Sequence, residues 1–167
     1  MSEKQITFAE AIRDAMAEEM RRDEMAFLIG EDVRSRTYST RSAEVGLWQE
    51  FGDWRIIYTP ISESAFVGAS TAAAATGMRP IVYLMFSDFM YVAMDQIVNQ
   101  AGKMRYMFGG KAKVPIVFRA SIGAGRGAAA QHSQSAYSVF LNIPGLKNVV
   151  PSTPYDAKGL LKSAIRD

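Results

Sequence analysis

The only histidine of this 167-residue chain, His132, lies within a segment of small residues, GAGRGAAAQHSQS, at positions 123–135. An imidazole titrates near neutral pH, so it can accept or donate a proton during a reaction. The segment shows no apolar periodicity of the kind that predicts a helix. Three interpretations of His132 stay open from these residues: a surface side chain without a role, a buried side chain bonded to a backbone carbonyl, and an acid–base catalyst.

Three other side chains stand where they could take part in the same chemistry. Glu63 follows an apolar run and opens a helical pattern, so its carboxylate could stabilise a helix N-terminus or hydrogen-bond a ring nitrogen of a ligand. Phe89 follows the next apolar run, and its ring could stack on such a ligand. Glu31 follows the first apolar run and adds a second carboxylate at a comparable place.

Other chemistries have weaker support in the sequence. Residues 123–128 fit the dinucleotide fingerprint G-x-G-x-x-A, but the next acidic residue is Asp156, too distant to hold a ribose. For residues 123–128 we therefore favour a flexible glycine loop that lines a cofactor or a subunit contact over a dinucleotide site. The chain has no G-x-S-x-G nucleophile motif, no H-E-x-x-H zinc motif and no cysteine.

Apolar runs and helical patterns alternate along the chain and predict the elements that position these residues. We expect strands at 25–29, 55–59, 80–86, 114–119 and near 148–150. Helices are expected from the capping box of Thr7 and Glu10, just before Gly52, at 64–76, 90–108 and 135–142, and after Thr153. This order predicts an α/β three-layer sandwich, a mostly parallel sheet with helices on both faces. Ligands bind such sheets at the carboxyl ends of the strands, where Glu31, Glu63, Phe89 and the loop of His132 are expected.

The composition is that of a globular domain rather than of a nucleic-acid-binding or membrane protein. The chain is 49% hydrophobic and 22% charged with a net charge of +2, which is typical of one globular domain and favours neither nucleic acid nor an anionic membrane as a partner. No apolar run approaches the roughly 20 residues that span a bilayer, and the charged N-terminus is unlike a signal peptide. We expect a cytoplasmic protein.

The chain contains a highly specific combination of four motifs, TPISE, DQIVNQA, HSQS and DAKGL. In these motifs, and over nearly its whole length, it resembles the β subunit of thiamine-diphosphate-dependent 2-oxo acid dehydrogenases. The pyruvate and acetoin branches of that family are the most similar. The resemblance implies that residues 1–167 form a transketolase-like pyrimidine-binding domain, and that the carboxy-terminal domain of family β subunits is absent from this chain.

The resemblance also implies roles for the residues singled out above. Glu63 matches the acid that hydrogen-bonds the aminopyrimidine ring of the cofactor and favours its imino tautomer. Phe89 matches the aromatic residue stacked on that ring, and Glu31 is assigned to the same cofactor-binding group. His132 matches the active-site histidine that stabilises or protonates the intermediate and serves acyl transfer to lipoamide.

Several partners follow from the same resemblance. Thiamine enzymes hold the diphosphate through magnesium with a G-D-G motif, and the Gly52-Asp53-Trp54 segment here lacks the second glycine. We therefore expect an α subunit to hold the diphosphate and magnesium, together with association between β subunits and contact with a lipoyl acyltransferase. A structural potassium ion is expected near Ile116, Ala164, Ile165 and Asp167, since hard cations bind such oxygens.

The expected activity is oxidative decarboxylation of a small 2-oxo acid, or cleavage of acetoin, with transfer of the acyl group to lipoamide. The alternatives are a non-catalytic assembly fragment that pairs through the helices at 68–76 and 90–107, and a nucleotide-binding oxidoreductase using residues 123–128. Two departures from the family bear on the substrate: Tyr83 replaces a glutamate, and the loop at 34–43 lacks a glycine-rich pattern.

Overall fold

The computed structural model describes residues 5–34 and 42–167. Within them, four strands form a parallel sheet in the order β2-β1-β3-β4: β1 (Ala26–Gly30), β2 (Ile56–Tyr58), β3 (Arg79–Phe86) and β4 (Val117–Ser121). The α-helices are α1 (Phe8–Arg22), α2 (Leu47–Phe51), α3 (Glu63–Ala75), α4 (Gly102–Met107), α5 (Tyr137–Phe140) and α6 (Pro154–Arg166). None of the helices in these residues is long and apolar enough to cross a membrane.

The sheet separates two apolar cores, one on each face. Leu28 of β1 and Ile81 of β3 pack with Met16 and Met20 of α1 and with residues of α2 and α6. The neighbouring strand residues, which point the other way, pack with α3 and with the segment after β3. Burial on both faces explains why the strands read as continuous apolar runs. The predicted α/β architecture, a parallel sheet between two helical layers, is confirmed.

The helices α1 and α6 lie side by side on one face and are fixed at their N-termini by the predicted caps. Thr7 and Glu10 form a reciprocal capping box, and the Thr153 hydroxyl accepts a hydrogen bond from the Asp156 backbone N–H. Between the helices, the buried Glu19 carboxylate accepts hydrogen bonds from Arg166 Nε at 2.8 Å and Nη2 at 2.6 Å. This buried charge is therefore paired within the fold.

Helix α3 has one buried and one exposed face of small residues. Phe66 and Val67 face the core, and a Cβ atom on Gly68 would come within 3.2 Å of Gln96 Oε1, so part of the small-residue surface packs on the neighbouring helical segment of this chain. Ala69 and Ala72 are exposed on the opposite side.

Two predicted elements differ from the structure. Residues 148–150 form no strand; Val149 and Val150 are exposed and have no hydrogen-bonded strand beside them, which leaves β4 at the edge of the sheet. The prediction of a strand there was wrong, because β-branched residues favour an extended chain but do not supply a pairing partner. Strand β4 begins at Val117 rather than at 114, beyond Pro115, which has no backbone N–H to donate.

The predicted helix at 90–108 is helical but irregular. A 3₁₀ turn at Ser87–Tyr91 comes first, a π-helical segment at Asp95–Ala101 follows, and α4 completes the run. Wide π turns of this kind are frequent near functional sites. Most of the loop at 34–43 lies outside the described residues.

Candidate active site at the carboxyl edge of the sheet

Two carboxylates form an acidic pair at the end of β1 and the start of α3. Glu31 follows Gly30, the last residue of β1, and Glu63 is the first residue of α3; their exposed fractions are only 8% and 7%. The Ser62 backbone N–H donates a hydrogen bond of 3.4 Å to Glu31 Oε1. Burial, together with the negative charge of Glu63, raises the pKa of Glu31.

Glu63 is buried without a donor among the described residues. Its carboxylate accepts no hydrogen bond from residues 5–34 or 42–167, and no side chain caps α3 at Ser62, the residue before it. The fully buried side-chain atoms that the described residues leave unpaired belong to Thr59, Asp88 and Arg119, and not to Glu63. Glu63 opens α3 at the positive end of the helix, and its carboxylate oxygens are not engaged by a described donor.

Three aromatic rings form a cluster beside the end of β3, defined here as the ring cluster of Phe86, Phe89 and His132. The His132 imidazole lies edge-on to Phe86, with ring centroids 4.7 Å apart, and to Phe89, with centroids 5.3 Å apart. The two phenyl rings are themselves edge-to-face at 5.9 Å. Such edge contacts fix the plane of the imidazole. His132 thus lies against the aromatic cluster, with part of its surface exposed.

The backbone around the ring cluster has unusual conformations that place the rings. Met85 has a φ of 52°, and the pairing of β3 with β4 shifts register between Tyr83 and Phe86, so a bulge turns the strand end. Ala129, just before the 3₁₀ turn that carries His132, has a φ of 62° and a ψ of −173°, a region almost confined to glycine. Non-glycine residues in such conformations concentrate at functional sites.

Hydrogen bonds tie the segments of the site together. The Ser87 hydroxyl donates to the Gln134 carbonyl at 3.1 Å, which joins the end of β3 to the loop of His132. The Ser64 hydroxyl donates to the Val92 carbonyl at 2.7 Å, which joins the first turn of α3 to the segment that carries Phe89. Since β1 and β3 are adjacent and parallel, the acidic pair and the ring cluster both lie at the carboxyl edge of the sheet, where such folds bind ligands.

The same edge holds other buried polar atoms that the described residues leave unpaired. They are Thr59 Oγ1, after β2, and both carboxylate oxygens of Asp88, after β3. Buried polar groups in folded proteins are nearly always hydrogen-bonded, to protein or to ordered water, so these atoms at the edge have hydrogen-bonding capacity that the described residues do not use.

A buried cation lies beneath this edge on the other face of the sheet. Arg119 of β4 pairs with Glu44, and its guanidinium stacks over the Tyr83 ring at 4.1 Å. Burial lowers the pKa of Arg119 to about 9 and raises the pKa of the Tyr83 phenol. The Tyr83 ring thereby packs against a buried arginine.

The residues expected to hold potassium are partly engaged with cationic side chains. The Ile165 carbonyl accepts a hydrogen bond from Arg79 Nη1 at 2.9 Å, and the Asp167 carboxylate accepts hydrogen bonds of 2.6 Å from Lys147 Nζ. Ile116 is half-buried just before β4, and Ala164 lies in the last turn of α6. Across the described ranges, no cluster of three or more His, Asp or Glu side chains could hold a metal ion.

Sequence reasoning did not single out Phe86 or Arg126 as parts of this site. Phe86 belongs to an apolar run, where an inward strand residue is the ordinary expectation, and only the bulge at Met85 turns it toward His132. Arg126 lies over the Phe86 ring at 5.6 Å. The sequence could have indicated Arg126, because it is the one charged residue of GAGRGAAAQHSQS apart from the histidine.

Comparisons with known proteins agree with this geometry. Residues 4–167 match the family described as the transketolase, pyrimidine binding domain. The chain belongs to this family. Its fold is also similar to that of a solved structure, "Split gene transketolase, inactive beta4 tetramer", with a TM-score of 0.75 over 98% of this chain and 49% of that chain at 17% sequence identity.

Two curated relatives are similar over almost the whole chain. The acetoin:2,6-dichlorophenolindophenol oxidoreductase subunit beta of Bacillus subtilis (strain 168) is 53% identical over 97% of this chain and 51% of that protein. The pyruvate dehydrogenase E1 component subunit beta of Rhizobium meliloti (strain 1021) is 51% identical over 97% of this chain and 35% of that protein. The chain thus spans about half, or less, of the length of these relatives.

Proposed function

We propose that this chain is the pyrimidine-binding part of the β subunit of a thiamine-diphosphate-dependent dehydrogenase that acts on a small 2-oxo acid or on acetoin. The observation that carries the proposal is Glu63, a 7% exposed residue whose carboxylate accepts no hydrogen bond from the described residues, at the same edge of the sheet as the ring cluster. The relatives named above, similar at about half identity, support it.

The residues at this edge fit the pyrimidine end of thiamine diphosphate. An aminopyrimidine ring offers hydrogen bonds to a carboxylate and a flat apolar face to an aromatic ring, and Glu63 and Phe89 offer these two contacts. Glu31 lies beside Glu63 and would help to bind the same ring. When bound, thiamine diphosphate supplies a thiazolium carbon that becomes a nucleophile once its proton is removed.

His132 is proposed as the proton-transferring group of the site. Its ring is held edge-on by Phe86 and Phe89, so its nitrogens keep a fixed direction, and the small residues around it leave room for a substrate and a lipoyl group. An imidazole in such a place can donate a proton to an oxygen of the reacting substrate and accept one during acyl transfer.

The partners proposed for the chain follow from what the site does not contain. An α subunit would hold the diphosphate and magnesium, because no metal-holding cluster is found among residues 5–34 and 42–167. Association with further β subunits would use the exposed alanines of α3, and a lipoyl acyltransferase would accept the acyl group. A potassium ion at Ile116, Ala164, Ile165 and Asp167 stays a prediction, and it would compete with Lys147 for the Asp167 carboxylate.

The proposal is tested by the substitution Glu63→Gln in the full-length β subunit assembled with its α partner. The amide can still hydrogen-bond, but it lacks the charge and proton affinity of the carboxylate. Deuterium exchange at the thiazolium carbon should slow by ~10²–10⁴-fold, the usual size of a lost acid–base contribution. Exchange as fast as in the parent enzyme would mean that Glu63 only stabilises the start of α3.

The matched variant His132→Ala should act at another stage. It should leave the exchange rate of the thiazolium carbon intact and lower turnover and acyl transfer, since His132 is proposed to move protons on the substrate rather than on the cofactor. A structural histidine would instead lower the free energy of unfolding and leave turnover per folded molecule near that of the parent.

A further inference from the structure

Arg126 brings a positive charge to the ring cluster and has no anionic partner among the described residues. Its guanidinium carbon lies over the Phe86 ring, 5.6 Å from the centroid, and Phe86 in turn contacts His132 at 4.7 Å. Arg126 is exposed and forms no ion pair with a carboxylate of residues 5–34 or 42–167. The other described arginines near buried carboxylates, such as Arg119 and Arg166, are paired.

The backbone on either side of Arg126 takes conformations that glycine adopts most readily. Gly125 and Gly127, on either side of it, have φ values of 102° and 68°. The contact with Phe86 places the guanidinium beside the end of β3, where Arg126 remains exposed to solvent. The charge of Arg126 also opposes the rise in the pKa of the Tyr83 phenol, which places the guanidinium within electrostatic reach of the sheet edge.

The two substrate classes considered under the proposed function differ in charge. A 2-oxo acid carries a carboxylate beside the reacting carbonyl group, whereas acetoin is uncharged. The candidate site otherwise contains the carboxylates Glu31 and Glu63, which would repel an anionic substrate. A planar guanidinium forms paired, charge-assisted hydrogen bonds with a carboxylate and gains nothing comparable from a neutral hydroxyketone.

We propose that Arg126 binds the carboxylate of the substrate, so that the enzyme to which this chain belongs acts on a 2-oxo acid in preference to acetoin. The inference rests on the proposed function for its reaction. It adds the charge class of the substrate and the residue that selects it. Phe86 would serve both partners, holding the guanidinium on its face and His132 at its edge.

The test compares Arg126→Gln, Arg126→Lys and the parent in full-length β subunits assembled with the α subunit. The ratio of kcat/KM for pyruvate to kcat/KM for acetoin should fall about 10–100-fold in Arg126→Gln, the size expected for losing hydrogen bonds to a charged group. Arg126→Lys, which keeps the charge but not the paired geometry, should recover part of the ratio. Arg105→Gln, an exposed arginine of α4, serves as the matched control and should leave the ratio unchanged.

A binding measurement separates failure of this inference from failure of the proposed function. Calorimetry with methyl acetylphosphonate, an anionic pyruvate analogue that cannot lose carbon dioxide, should give a Kd about 10–100-fold weaker for Arg126→Gln than for the parent. An unchanged Kd and an unchanged substrate ratio would overturn the role of Arg126. Absence of turnover with both substrates in the parent would overturn the proposed function, and the two Kd values would still decide the inference.

Discussion

Buried carboxylates occur in two chemical settings in this chain. Glu19 and Glu44 are buried but paired with Arg166 and Arg119, so the fold itself supplies their counter-charges. Glu63 is 7% exposed and accepts no hydrogen bond from a described residue, and both oxygens of the buried Asp88 lack a partner among the described residues. Pairing therefore separates the carboxylates that hold the fold together from those that are available to a ligand.

The raised pKa of Glu31 leads to a prediction about pH and stability. Burial and the charge of Glu63 favour the protonated carboxyl in the folded chain, so the unfolded chain loses this proton at a lower pH. The free energy of unfolding should fall as the pH rises from the ordinary glutamate pKa of 4.5 through the raised one. Urea unfolding of Glu31→Gln across this range should show a weaker fall than in the parent.

Glu18→Gln provides a control of opposite sign. Hydrogen bonds from Lys158 and Lys162 lower the pKa of Glu18 to about 2, so the stability it contributes is present above pH 4.5 and lost as the pH falls toward 2. The size of this effect is reduced by solvent, because the Glu18 side chain is 37% exposed. A Glu31→Gln profile parallel to that of the parent would contradict the assigned burial of Glu31.

At the scale of the elements, most of the fold could be predicted because local patterns coincide with the final packing. The caps of α1 and α6, the apolar strands β1 and β3, and the stop of α3 before Gly77 follow from short-range rules. The bulge at Met85 and the ring contacts could not, because they depend on the register of β3 against β4. The pair of Glu44 and Arg119 joins residues 75 positions apart, which no local pattern encodes.

The residues of the candidate site likewise include some that local patterns predict and some that they do not. Glu31, Glu63 and Phe89 were predicted at the carboxyl edge because each follows a strand, and His132 because the loop after β4 must reach that edge. Phe86 was missed because its position in the strand predicted an ordinary core residue. Whether these residues act on a cofactor stays a prediction, tested by the variants described above.

The close approach of β1 and β3 at Gly30 predicts that a substitution there lowers the free energy of unfolding. A Cβ atom there would lie 2.3 Å from the Tyr83 carbonyl oxygen of the paired strand, so Gly30→Ala must push β1 away from β3 just before Glu31. Overpacking of this kind costs about 1–3 kcal/mol, and the free energy of unfolding should fall by at least that much. Urea denaturation measures it.

Gly159→Ala is the matched control for that substitution. Gly159 lies inside α6, and nothing lies within 4 Å of the position that its Cβ would take. Replacing glycine with alanine in a helix interior should raise the free energy of unfolding by about 0.5–1 kcal/mol. Equal effects of the two substitutions would contradict the close approach of β1 and β3 at Gly30.

At the scale of the whole molecule, the chain resembles one side of a divided site. The unpaired Thr59 hydroxyl and Asp88 carboxylate, together with Glu63, place unfulfilled hydrogen-bonding capacity at one edge of the sheet. No metal-holding cluster accompanies them in the described part of the chain. The proposed α subunit would supply the diphosphate and magnesium contacts to a pyrimidine-binding surface of this kind.

Calorimetric titration of thiamine diphosphate in the presence of magnesium tests this account most directly. The chain alone should bind the cofactor weakly, and the full-length β subunit mixed with its α partner should bind it at least 100-fold more tightly, about 2.7 kcal/mol or more. The Glu63→Gln variant of the mixture should bind more weakly than the parent mixture. Tight, magnesium-dependent binding by the chain alone would contradict the account, as would a mixture that binds no better than the chain.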